Sequence, residues 1–360
     1  MLFKKRADYV VFPGITGLGN DGFYAQTFRA EVTREFPIEA IYLKLSINLT
    51  VATSVTFVDT AAVAGSGWFA AIKRVTIQVA DGARTRNVVD ASGPQLIEYA
   101  RNIMAGADSN YNSNRFQAAV NTINLYVPIF FAHPQVSDPV SSMFLLPAPR
   151  FNQNIVVTVQ TDAKANVVTG TNTETLNDLS LVVHRREVNL PDWQYFDTEL
   201  SEVSYSLSAT GQQAFELGVP GAYTGIQLLT RSSALLRNNP FTALGENRLQ
   251  YLGNVVRRFR IEDIQAENEW SIPGTTEATA ATPNPGVYYL DFLTDRVGES
   301  VDEVGSVLET NFLAATGARM QLLMNIGSSG GTMSVLSHRI FGDISGLKMK
   351  SVGAAPAPGK

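Results

Sequence analysis

Apolar and polar residues alternate along most of this chain, and a period of two is the mark of a strand with one buried face. In IYLKLSINL, Ile41, Leu43, Leu45, Ile47 and Leu49 form one apolar face while Tyr42, Lys44, Ser46 and Asn48 face away. The same spacing puts Val75, Ile77 and Val79 inside, then Ile123, Leu125, Val127, Ile129 and Phe131. It recurs at Val203, Tyr205 and Leu207, at Phe215, Leu217 and Val219, and at Met320, Leu322, Met324 and Ile326. An all-β protein is predicted. Helical signals are few. In SGPQLIEYARNIMAG, Pro94 suits a first turn, Leu96, Ile97, Ala100, Ile103 and Met104 make one stripe, and Gly106 can end it. A shorter, polar-faced helix is expected in IEDIQAENEW, after Arg260.

The strand pattern occurs twice. INLYVPIFFA (123 to 132), RFNQNIVVTVQTD (150 to 162) and LSLVVHRREV (179 to 188) follow one another in the first half. GVYYLDFLTD (286 to 295), ARMQLLMNIGS (318 to 328) and MSVLSHRIFGD (333 to 343) do so in the second. His184-Arg185 and His338-Arg339 fall at matching points of the closing strands, and each half has one helix before its last three strands. A unit this long is a duplicated domain rather than a solenoid repeat, whose units run to roughly 20–50 residues. About eight strands per half, with long connections and one helix, fit a jelly roll better than an immunoglobulin sandwich. The expected division is an N-terminal arm and first jelly roll over 1–192, a second over 193–350, and a flexible C-terminal arm over 351–360. Pro191 marks the junction, and segments 162–178 and 271–286 read as projecting loops.

Composition narrows the function classes. The chain of 360 residues carries a formal charge of −5, which argues against a general nucleic-acid binder. Cysteine is absent, so packing rather than disulfides or thiolate metal sites must hold the fold. The start, MLFKKRADYVVF, does not read as a secretory signal, and the most apolar stretch, 47–72, contains Asp59 and many small polar residues, unlike a membrane span.

Candidate chemistry is thin. Gly14, Gly17, Gly19 and Gly22 precede a strand, not the helix a phosphate loop needs, so this segment is expected to be an arm. His133, His184 and His338 are too dispersed for a metal site or a nucleophile–base pair, and are expected to be ordinary surface or strand-end histidines. Glu262, Asp263, Glu267 and Glu269 follow Arg257, Arg258 and Arg260, and a solvated helix or a subunit-contact strip, with Arg258 four residues before Glu262, is the expectation. Asn48 and Thr50 form a glycosylation sequon inside a strand, with no role assigned. Trp68, Trp193 and Trp270 are not clustered as a sugar platform would require. No catalytic site, metal or cofactor is predicted.

Two stretches carry a family resemblance. IKRVTIQVADGARTRNVVDASGPQLIEYARNIMAG (72 to 106) is similar to the strand, short strand and helix of the first jelly roll in the major capsid proteins of tectivirus-like bacteriophages. VVRRFR (255 to 260) leading to GVYYLDF (286 to 292) resembles the segment entering their second jelly roll. The chain thus resembles the double jelly-roll capsid lineage that includes adenovirus hexon. The resemblance implies a structural protein forming pseudo-hexameric homotrimers that tile an icosahedral virion, assembled in the host cytoplasm. Its partners would be neighbouring capsomers, vertex or penton and minor capsid proteins, and an internal viral membrane, but no specific nucleic acid. Lys4, Lys5 and Arg6 would face that membrane. Two rivals remain: a double jelly-roll glycan-processing amidase, and a carbohydrate-binding or spike module.

Overall fold

The computed structural model describes residues 4–49, 56–58, 66–103, 122–132, 144–187, 197–217, 222–232, 237–242, 244–251, 254–271, 286–292 and 320–341. Segments 188–196, 272–285 and 351–360 therefore lie outside the described residues, as do His133 and Trp193.

In the first half the strands are β1 (Lys4–Val11), β2 (Thr27–Val32), β3 (Ile38–Leu49), β4 (Thr56–Phe57), β5 (Ile72–Asp81) and β6 (Arg84–Ala91), then helix α1 (Gly93–Ile103). After the helix come β7 (Thr122–Phe130), β8 (Ile155–Thr161), β9 (Val168–Thr169) and β10 (Glu174–Glu187). The second half runs β11 (Asp197–Leu207), β12 (Gly211–Leu217), β13 (Ala222–Arg231), β14 (Asn247–Tyr251) and β15 (Asn254–Phe259), then helix α2 (Ile261–Ser271). It closes with β16 (Val287–Asp291), β17 (Met320–Ile326) and β18 (Gly331–Phe341).

Sheet order turns the sequence repeat into a structural one. The first half forms a sheet β1-β10-β3-β7 and a second array β6-β5-β8-β2; the other half forms β11-β18-β13-β16 and β12-β17-β14-β15. Replacing β1, β2, β3, β5, β6, β7, β8 and β10 by β11, β12, β13, β14, β15, β16, β17 and β18 converts one wiring into the other without exception. Even the helices correspond: the Leu96 amide donates to the Ser92 carbonyl as the Ile264 amide donates to that of Arg260. Each half is wired as a jelly roll, and the small ladder β4–β9 is an insertion in the first.

The alternation read from the letters is the alternation of burial. Ile41, Leu43, Leu45 and Ile47 are buried and face Val75, Ile77, Val157 and Val159 in the first core, which also holds Trp68. Phe215, Leu217, Leu249, Leu322, Met324 and Val335 build the second. Val203 departs from the expectation and is 41% exposed, although it stays paired with Val335 and the next positions of its face, Tyr205 and Leu207, pack on the second core.

Two expected loops are folded structure instead. Residues 14–22 are no arm: Phe12 and Phe23 anchor the segment in the core on either side, Ile15 and Leu18 pack on it, and the Asp21 amide donates to the Glu174 carbonyl at 2.6 Å. The glycines that suggested mobility serve the turns, Gly14 and Gly17 lying at φ 84° and 93°. Likewise 162–173 does not simply project, since Val167 and Val168 are buried and β9 pairs with β4.

Candidate functional site: the seam between the two sandwiches

The halves are joined in two ways. At the backbone, β6 and β11 pair in parallel, Leu200 opposite Val89 and Ser201 opposite Asp90, making one continuous sheet of eight strands. Against that junction lies α1, whose residues from Gly93 to Ala100 are all buried. Leu96, Ile97 and Ile103 belong to the first core, which is why the stripe read from sequence is helical. The opposite face is buried too, against the second half, and there the side chains are polar.

Gln95 Nε2 donates to the Ser334 carbonyl at 3.0 Å and to its Oγ at 2.7 Å, on β18. Gln227 Nε2, on β13, donates to the Gln95 carbonyl at 2.9 Å and to Gln95 Oε1 at 2.6 Å, while Asn102 Nδ2 donates to Gln227 Oε1 at 2.8 Å. The Tyr99 hydroxyl meets His338 Nδ1 at 2.7 Å, and its ring stands edge-on to Tyr289 with centroids 5.8 Å apart. Glu98 is paired with Arg237 at 3.0 Å and with Arg101 at 3.1 Å, and Arg237 also donates to Ser66 Oγ at 2.9 Å. Side-chain exposure is 3% for Glu98 and 0% for Arg237. Apolar contact alone is non-directional and allows sliding; dehydrated, directional bonds penalise every other relative placement of the sandwiches. At the margin, Arg74 pairs with Asp90 and reaches Glu202 at 3.8 Å, Glu202 accepts from the Ser92 amide at 2.6 Å, and Arg86 meets Asp197 at 2.6 Å. The seam's chemistry is that of a rigid joint.

The sequence matches no family model and no curated protein sequence. Solved structures do match. The MCP of Sulfolobus turreted icosahedral virus is similar with TM-score 0.64 and 13% identity, over 97% of this chain and 100% of that one. The major capsid protein of bacteriophage PM2 matches with TM-score 0.50 and 12% identity, over 94% and 99% of the two chains. The PBCV-1 virus capsid matches with TM-score 0.56 and 11% identity, over 94% of each chain. The fold is a double jelly roll. At these identities the likeness is one of fold, and it spans both halves and the joint between them.

Within this double jelly roll the residues singled out from sequence fall in different places. Lys5 and Arg6 lie on β1, Lys5 paired with Glu39 at 3.1 Å and Arg6 with Asp8 at 2.9 Å and Glu35 at 3.6 Å. Lys4 is opposite Glu187. His184 and His338 do occupy equivalent strands, but His338 is not a surface histidine: the seam covers it, whereas His184 is half-buried on an outward face against Tyr42, with rings 4.8 Å apart. Burial and nearby Lys5 hold the His184 imidazole below its ordinary value, against an opposing pull from Glu39. Glu262 and Asp263 are exposed on α2 as expected, but Arg258 is still in β15, so helical spacing does not govern it and its guanidinium lies 3.7 Å from Glu246. Trp68 is wholly buried, leaving no sugar platform at that residue.

One cluster was invisible in the sequence. Asp21, Lys164 and Glu174 come from the β1–β2 connection, the β8–β9 turn and the start of β10. Lys164 Nζ stands 2.9 Å from Asp21 Oδ2 and 2.8 Å from Glu174 Oε2, and it also donates to the Asn172 carbonyl. Two carboxylates share one ammonium, and Glu174 is 0% exposed. Burial, then the neighbouring Asp21, push its carboxyl up to about 7 despite Lys164. The arrangement clasps two loops at one end of the first sandwich. Among the described residues, no group of three His, Cys, Asp or Glu side chains is placed to hold a metal ion.

Proposed function

We propose that this chain is the major capsid protein of an icosahedral virion, a structural protein without catalytic chemistry. The observation that carries the proposal is the double jelly roll itself: two sandwiches of identical wiring, locked by a buried polar seam, matching capsid proteins over 97% of the chain. Two similar lobes per chain give three copies a sixfold outline, the shape that tiles a flat face, and closing three copies in a ring demands a heterologous contact. An amidase would need a free acid between its domains, and the acids described at this seam are each paired with arginine: Glu98 with Arg237 and Arg101, Asp90 and Glu202 with Arg74, and Asp197 with Arg86.

The same reading assigns the protein to the virion, with neighbouring capsomers, vertex proteins and minor capsid proteins as partners and assembly in the host cytoplasm. It has an internal membrane beneath the shell, with Lys4, Lys5 and Arg6 on the membrane side; the ion pairs of Lys5 and Arg6 leave only part of the ~1 kcal/mol per basic residue that an anionic surface offers. Replacing all three by glutamine should reduce flotation with anionic vesicles, and unchanged flotation removes the membrane contact. For the main proposal, light scattering of the purified chain should give three chain masses and electron micrographs should show hexagonal rings or shells. A monodisperse monomer that never assembles overturns it.

A further inference from the structure

The repeat is complete in its wiring but not in its contacts. In the first half, the outer edge of β6 is taken by β11, and α1 is covered by β13, β16 and β18. The equivalents in the second half are β15 and α2, and β15 is the edge of its sheet. At the other end of the chain, β1 is the equivalent of β11, and it too is an edge. Among the described residues the molecule therefore presents, unpaired, the two halves of the junction it has already made once internally.

We infer that β15 and α2 of one copy dock on β1, β10 and β3 of a second copy, repeating the seam between chains; the inference rests on the trimeric capsid reading and specifies its contact. Residue correspondence follows from the shared hydrogen-bond pattern. Ser92 and Arg260 accept the first helical bonds, so Asp90 matches Arg258, Gln95 matches Asp263 and Tyr99 matches Glu267. On the receiving side, Leu200 pairs with His338 as Ala7 pairs with His184, so Ser201 matches Asp8 and Glu202 matches Tyr9. Gln227 lies opposite Leu336 as Tyr42 lies opposite Val182, two residues along each ladder from the histidine.

The matched surfaces are complementary. Arg258, 63% exposed, comes beside Asp8, a carboxylate also held by Arg6 and the buried Arg185 of its own chain, where Asp90 lies beside Ser201 within the chain. Asp263 comes onto Tyr42 and its neighbour Lys44, where Gln95 meets Gln227. Tyr9 and Val11 are 56% and 54% exposed on β1, although they sit in a strand, and Tyr42, His184 and Phe130 form an outward aromatic group beside them. Their counterparts in the second half, Gln227 and His338, are buried under α1. The repeated wiring and the exposed edge thus single out a second copy of the chain as the occupant, and an edge-to-edge parallel pairing as the backbone contact.

The absence of native cysteine makes the test clean. Tyr9→Cys combined with Arg260→Cys replaces two exposed side chains whose counterparts, Glu202 and Ser92, touch within the chain. Mild oxidation of the assembled double variant should yield chains linked in twos and threes on a non-reducing gel, and neither single variant should do so. A separate Arg258→Glu variant should lose the trimer peak in light scattering with an unchanged melting transition of the monomer fold. If the wild type is trimeric but no cross-link forms and Arg258→Glu trimers persist, this contact is wrong and the capsid reading survives. If the wild type is itself a monomer, the trimeric reading beneath it has failed.

Discussion

The Tyr99 hydroxyl lies 2.7 Å from Nδ1 of His338, a residue 239 positions further along the chain and in the other sandwich. Burial drives the Tyr99 hydroxyl far above its ordinary value, so it stays protonated and can donate to the ring nitrogen at any ordinary pH. Tyr99→Phe keeps the ring against Tyr289 but strips the imidazole of that bond. A buried group left unsatisfied costs about 1–3 kcal/mol, and denaturant unfolding of the variant should show a loss of that order. The measurement should report the second sandwich and the first together, because the bond joins them.

Glu98 and Arg237 form the most deeply buried ion pair of the seam. Removing one partner leaves the other charge dehydrated, so Glu98→Ala should destabilise by about 3–5 kcal/mol. Replacing both, as Glu98→Leu with Arg237→Met, should recover most of that loss. Failure of the double variant to recover would show that Arg237 acts through Ser66 rather than through Glu98.

Gly93 opens α1 at a point where the helix presses on its own sandwich. A Cβ there would stand 2.7 Å from Ile72 Cβ and 2.7 Å from the Phe69 carbonyl oxygen. Alanine improves helix propensity by about 1 kcal/mol, yet overpacking of this kind costs about 1–3 kcal/mol. Gly93→Ala is therefore expected to lower the melting temperature, opposite to what the same change does in an exposed helix.

The clasp of Asp21, Lys164 and Glu174 makes stability depend on pH. The folded-state pKa of Glu174 is raised from its ordinary 4.5 to about 7, so its contribution is fully present below 4.5 and is lost as pH rises through about 7. Asp21 is lowered from 3.8, so its contribution is lost only as pH falls further, outside that window. Unfolding free energy should fall between about pH 4.5 and 7 and level off above, and Glu174→Gln should flatten the curve. A wild-type profile that rises over this range would contradict the assignment.

Much of the architecture was legible in the letters, since alternation of apolar residues is imposed by the two faces of a strand and survives in any half-buried sheet. The two helices were legible for related reasons, Pro94 and the Leu96 stripe for α1 and the break after Arg260 for α2. The recurrence of His-Arg in β10 and β18 exposed the duplication. What the sequence misled on were residues whose role is set by something far away. Gly14 to Gly22 look mobile until Phe12, Phe23 and Glu174 hold them, and Val203 is spaced like core yet stands exposed on β11. His338 looks like a strand-end histidine until α1 covers it.

By itself, then, the sequence determined two β-sandwiches of one pattern and the helix each carries, because local periodicity and chain-neighbour chemistry suffice for that. The seam was decided only by tertiary structure. Gln95, Glu98 and Tyr99 are polar residues on a helix, which local rules assign to solvent; they are buried because an entire second sandwich lies against them, and no spacing along the chain encodes a surface supplied more than a hundred residues later.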